Sequence, residues 1–153
     1  MISVDTNAAE NFLFDRLTTY FQADGTEVQV ERTRLDIGDV RIVGKEGRTL
    51  VIERKSWTDW CASICDGRYA EQKQRFLASR QPKEVLVYVL EMEDALPKWE
   101  GKTRGMSNKA ANAAMLKTQL RDGVPIVQSH GKAHTALLVC YLADQIVKGT
   151  LRL

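Results

Sequence analysis

The chain has 153 residues, 44% of them hydrophobic, with three prolines and no Gly/Ser-rich linker, so one domain with a single core is expected. At this size folding buries roughly 70% of the surface that the unfolded chain exposes, and an odd count of three cysteines argues against a disulfide framework. Formal net charge is +2, too small to announce a polyanion partner by itself, and no apolar run approaches the roughly 18 residues that span a bilayer.

The opening MISVDTNAAE has neither a basic segment nor an apolar one to mark it for export, which predicts an intracellular protein with reduced thiols and no membrane partner. Residues 8–22 read as an amphipathic helix, since Phe12, Leu13, Leu17, Tyr20 and Phe21 recur near the 3.6 period, and Asp24-Gly25 ends it. Segments 27–33, 39–43 and 49–53 are β-rich, with a turn at 44–47, and read as an antiparallel meander. Ser56 is a helix N-cap with Asp59 three positions on, and Trp57, Trp60, Cys61 and Ile64 form the apolar face of that helix. After Asp66-Gly67 come a helix at 68–79 and a near-continuous apolar strand at 85–91, the kind that is buried on both faces. A helix at 108–121, a strand at 124–128 and a helix at 133–147 complete an α/β fold, a central mixed sheet flanked by helices. Cys61 with Cys65 and His130 with His134 are each four apart, but about sixty residues of regular structure separate the pairs, and coincidence explains them better than zinc.

Charge is unevenly distributed. Residues 1–40 carry eight acids and three bases, net −5, whereas 68–83 carry five bases and one acid, net +4. Residues 84–97 are net −4 and residues 98–121, with six bases against Glu100, are net +5. Carboxylates kept apart from basic stretches suit a phosphodiester enzyme, the acids for a cation and the Lys/Arg for the backbone.

Strand alternation puts Val51, Glu53 and Lys55 on one face and Leu50, Ile52 and Arg54 on the other. The 44–47 turn returns Gly38-Asp39 beside the same strand end, so Asp39, Glu53 and Lys55 converge. Two such acids repel unless a divalent cation lets both ionise, and oxygen ligands suit Mg²⁺ or Mn²⁺. The same triplet also fits a cross-strand Glu–Lys bridge with Asp39 in a turn.

The order Gly38-Asp39, then Glu53-Arg54-Lys55, then Asp59 after three further residues resembles the GD…ERKxxxD signature of the XPF-type structure-specific endonucleases. Leu35-Asp36-Ile37, Ser63-Ile64, Asp66-Gly67-Arg68-Tyr69 and Gln72 extend the likeness over nearly the whole chain. The resemblance implies a restriction-endonuclease-like fold, Mg²⁺- or Mn²⁺-dependent DNA cleavage, dimerisation, and branched substrates such as flaps, forks and Holliday junctions. It implies Asp39 and Glu53 as metal ligands, Lys55 as the catalytic lysine, Arg54 as a phosphate or scaffold contact, and Asp59 as a support for the site. Alternation turns Arg54 away from Lys55, toward a bridge with Asp59, and Asp59 also suits a mere helix start.

The family's N-terminal pattern has an Asp followed closely by Arg and Glu. Here Asp5 stands without them, a third candidate ligand, with Glu10 as a replacement acid one helical turn on. The helix-hairpin-helix pair and helicase module that often accompany this nuclease domain are absent from residues 1–153, so the domain is expected to bind DNA itself. Arg68, Gln72 and Arg75 recur at i, i+4, i+7 as a polar stripe beside the active strand. Residues 98–109 read as a mobile loop along DNA, with Lys98, Lys102, Arg104 and Lys109 for phosphates and Trp99 for a distorted base. Apolar residues nearly encircle the 133–147 helix, which predicts a homodimer through the C-terminal helices. A non-catalytic DNA-binding or nuclease-partner module of the same fold is the competing reading, and the intact Asp39, Glu53 and Lys55 weigh against it.

Overall fold

The computed structural model describes residues 1–92 and 99–153. Its elements are β1 (Ile2–Val4), α1 (Asn11–Asp24), β2 (Val30–Arg32), β3 (Val40–Val43), β4 (Thr49–Ser56), α2 (Trp57–Cys65), α3 (Arg68–Ala78), β5 (Glu84–Glu91), β6 (Lys102–Thr103), β7 (Met106–Ser107), α4 (Asn108–Leu120), β8 (Ile126–Ser129) and α5 (Lys132–Lys148). A 3₁₀ turn, Ala8–Glu10, leads into α1.

Six strands form one mixed sheet in the order β2-β1-β3-β4-β5-β8. Alternation divides its side chains between two cores. Leu50 and Ile52 of β4 and Val87 and Val89 of β5 pack with α1 and α5, while Val51, Leu86, Tyr88 and Leu90 pack with Trp57, Trp60, Phe76 and Met115 of α2, α3 and α4. Strand β5 is buried on both faces, as its apolar run predicts. Trp57 and Trp60 are almost wholly enclosed, and truncating either to alanine would cost about 3–5 kcal/mol.

The β3–β4 hairpin forms as expected, with Val40 opposite Ile52 and Val43 opposite Thr49. The three-strand meander does not. β1, which no sequence pattern signals, lies between β2 and β3, antiparallel to β3 with Ile2 opposite Ile42, and parallel to β2 with Ile2 opposite Val30. The reason is the intervening α1: a helix between two strands of one sheet carries the chain back and makes them parallel, which places β2 outside β1.

The mobile loop expected at 98–109 is also corrected, apart from Lys98, which lies outside the described residues. Its middle is the β6–β7 hairpin, turning through Arg104 and Gly105 at φ 51° and 78°. The buried Asn108 pins it: its N–H donates to the Gly101 carbonyl at 3.0 Å, its Nδ2 to the Glu100 carbonyl at 2.6 Å, and its Oδ1 accepts from Thr103 Oγ1 and Trp57 Nε1. No described helix is long and apolar enough to cross a membrane.

Candidate active site

Asp39 is clamped against β4 by backbone groups. Its N–H donates to the Ile52 carbonyl at 2.7 Å, and its Oδ2 accepts the N–H of Arg54 at 2.7 Å, so its carboxylate sits beside Glu53. Gly38 makes the approach possible: it has φ 78°, and a Cβ there would fall 2.6 Å from Val51 Cγ1. Glu53 lies opposite Tyr88 of β5. Burial and the nearby Asp39 push its carboxyl up to about 7. Burial also raises Asp39, opposed by the hydrogen bond from Arg54.

Lys55 shares the face of Glu53, and its Nζ donates to Gln72 Oε1 of α3 at 2.9 Å. Gly38, Glu53, Lys55, Gln72, Arg75 and Tyr88 thus line one cleft of about 90 Å³. The structure brings the expected Asp39, Glu53 and Lys55 together. Within the polar stripe expected beside the active strand, Gln72 is also a partner of the lysine.

Arg54 points to the opposite face, as alternation requires, but its partner is not Asp59. Its Nη1 pairs with Glu10, while its Nε and Nη2 reach Glu91 Oε1 at 3.0 and 2.6 Å. With only 10% of its side chain exposed, Arg54 fits the scaffold half of its expected role and not a phosphate contact. Glu10 is therefore the buried counter-ion of Arg54. Burial raises its carboxyl and Arg54 opposes the shift. Asp59 is exposed in the first turn of α2, its N–H bonded to the capping Ser56 Oγ at 3.0 Å.

Asp5 lies near enough to Asp39 to raise it electrostatically, yet its own oxygens accept the N–H groups of Leu35 at 2.8 Å and Asn7 at 3.0 Å. Among the described residues no three His, Cys, Asp or Glu side chains gather closely enough to hold a metal ion, which includes the Cys61, Cys65, His130 and His134 set. The site is a carboxylate pair, the donor set that suits Mg²⁺, an ion usually bound through one or two carboxylates with several waters retained.

Of the expected nucleic-acid contacts, Arg75 is exposed at the cleft, and its guanidinium makes no hydrogen bond or ion pair to any described residue. Arg68 is exposed but paired with Asp66 at 2.7 Å. Lys102, Arg104 and Lys109 are exposed on or beside the pinned hairpin, and Trp99, 56% exposed, is not anchored in the core. Sequence reasoning missed Glu91 and the pairing of Glu10, because partners 37 and 44 residues apart leave no local pattern.

The family model of the ERCC4 domain matches residues 6–142. This chain belongs to the ERCC4 domain family. An ERCC4 domain-containing protein of African swine fever virus is 28% identical over 111 residues, 72% of this chain and 30% of the viral protein, and that of a second isolate is 30% identical over 108 residues, 70% and 28%. The chain thus spans under a third of the length of these curated relatives. XPF from Aeropyrum pernix superposes with a TM-score of 0.69 at 24% identity, covering 94% of this chain and 65% of that one. The same protein in complex with DNA gives 0.66, covering 94% and 62%. The restriction-endonuclease-like fold expected of this ERCC4 domain is the fold it has.

Proposed function

We propose that this ERCC4 domain is a metal-dependent endodeoxyribonuclease that hydrolyses phosphodiester bonds in branched DNA such as flaps, forks and Holliday junctions. The observation that carries the reading is the half-buried pair Asp39 and Glu53 with an ammonium group steadied beside it. Keeping two adjacent carboxylates partly out of water destabilises a fold, and a purely structural or DNA-tethering module gains nothing from it.

Asp39 and Glu53 would hold Mg²⁺ or Mn²⁺. Such a cation polarises a phosphate oxygen and lowers the pKa of a bound water. Lys55, oriented by Gln72, supplies positive charge where negative charge develops on the phosphate. Arg75 at the rim binds a neighbouring phosphate, and Lys102, Arg104, Lys109 and the outer Arg68 serve the DNA arms. Arg54 and Asp59 act through the scaffold, Arg54 by fixing the strand end that presents Asp39. Asp5 adjoins Asp39 as a supporting acid.

We also propose a homodimer through the C-terminal helices. α1 and the sheet cover most of the apolar surface of α5, but Leu137 and Tyr141 remain 69% and 62% exposed. Light scattering should give twice the 17.3 kDa of one chain, and Leu137→Glu should restore the monomer. The viral relatives and the three free cysteines fit a virus-encoded protein of a reducing compartment.

The test is incubation with flap, fork and four-way junction DNA, with and without Mg²⁺ or Mn²⁺. Metal-dependent nicking near the branch is expected. Binding without cleavage in both metals would identify a non-catalytic module instead.

A further inference from the structure

The cleft is the narrow end of a longer groove. Its floor is one face of the sheet, where β4 presents Lys55, Glu53 and Val51 in succession and β5 presents Tyr88 and Leu86. Its walls are α3, through Gln72, Arg75 and, just past its end, Ser79, and the segment 34–38 facing them. Beyond the 90 Å³ cleft the groove widens into a pocket of about 440 Å³, and Asp36 and Ile37 line both. At about 3.3 Å per residue, Val51 in the pocket floor lies roughly 7 Å along the strand from Glu53.

The pocket is chemically unlike the cleft. Its lining is mixed: Leu35 and Ile37 give it apolar surface above the nearly enclosed Val51 and Leu86, while Arg34, Asp36, Ser79 and Gln81 put donors and acceptors among them. At its far end Arg41 and Glu84 neutralise one another in an ion pair. Arginines and carboxylates therefore balance, which makes a poor bare phosphate site. Apolar side chains interleaved with hydrogen-bonding groups offer a nucleobase a surface to lie against and partners for its rim. Two guanidinium groups flank it, those of Arg34 and Arg75, one on each wall, and neither makes a hydrogen bond or ion pair with a described residue.

We infer that this pocket receives one unpaired base adjoining the scissile phosphate, with Arg34 and Arg75 holding the backbone on either side. The inference rests on the endonuclease reading and adds to it a demand that the strand beside the cut be single-stranded or splayed, since a base inside a duplex cannot reach the pocket.

The test uses the full chain in EDTA, where cleavage is silent, and fork DNA carrying 2-aminopurine at one position at a time within a few nucleotides of the branch. Binding should brighten the probe at one position. Ser79→Trp and, separately, Gln81→Trp fill the pocket and should abolish the brightening and weaken fork binding about tenfold, with affinity for a fully paired duplex unchanged. Two folded variants that keep both the brightening and the fork affinity would overturn the pocket while leaving Mn²⁺-dependent cleavage, and the endonuclease reading, intact. Failure of the unsubstituted protein to bind or cut any of these DNAs would overturn both.

Discussion

Lys55 and Gln72, 17 residues apart on different elements, are joined by a 2.9 Å hydrogen bond from Nζ to Oε1. A lysine has four rotatable bonds in its stem, and a single fixed acceptor at its tip selects the rotamer that keeps the ammonium beside Glu53. Gln72→Ala should lower the single-turnover cleavage rate about 10- to 100-fold while DNA affinity changes less than about threefold. Gln72→Glu, which retains the acceptor, should keep more activity than Gln72→Leu. Equal losses of affinity and rate would make Gln72 a DNA contact instead.

Glu53→Gln and Asp39→Asn should each reduce cleavage at least about 10³-fold, several kcal/mol of barrier, and abolish Mn²⁺ binding in calorimetry. Each also removes one of two carboxylates that repel in the metal-free protein, so the melting temperature in EDTA should stay level or rise. A pronounced fall in EDTA would show that the acids are there for the fold.

Arg54→Met leaves the buried Glu10 and the half-buried Glu91 without a counter-ion. It should destabilise the protein by about 3–5 kcal/mol in urea unfolding. The salt dependence of DNA binding by the folded fraction should be unchanged. A slope reduced by about one would instead place Arg54 on a phosphate.

Asp122 joins α4 to α3. Its hydrogen bonds from Arg121 and Lys73 hold its carboxyl at about 2, below the ordinary 3.8. Because folding lowers this pKa, the stabilisation is complete above about pH 4 and disappears as the pH falls through about 2. Asp122→Asn should lower stability at pH 7 and flatten the acid limb of a stability profile taken from pH 7 to pH 2. An unchanged acid limb would remove Asp122 from the account.

Local chemistry made much of the site legible. Alternation along β4 put Glu53 and Lys55 on one face and Arg54 on the other, the turn at 44–47 brought Asp39 alongside, and Ser56 announced α2. What stayed hidden depends on distant partners. Three residues, Ile2, Ser3 and Val4, are too few to show a period, and only the strands on either side make them a strand. Glycines and charges at 98–109 suggested mobility, but a single buried side chain, Asn108, holds that segment.

β1 precedes both of its partners in the chain and is an interior strand of the finished sheet. Ile2 must wait for Ile42 and Val4 for Val40 before either can pair, and the residue after Val4 then donates its N–H to the Asp39 carbonyl at 2.9 Å. Until that closure a short apolar ribbon with both edges bare is open to wrong partners. The carboxylate pair is therefore assembled only once β1 has been inserted between β2 and β3, so that the site arrives late in folding and with the sheet as a whole.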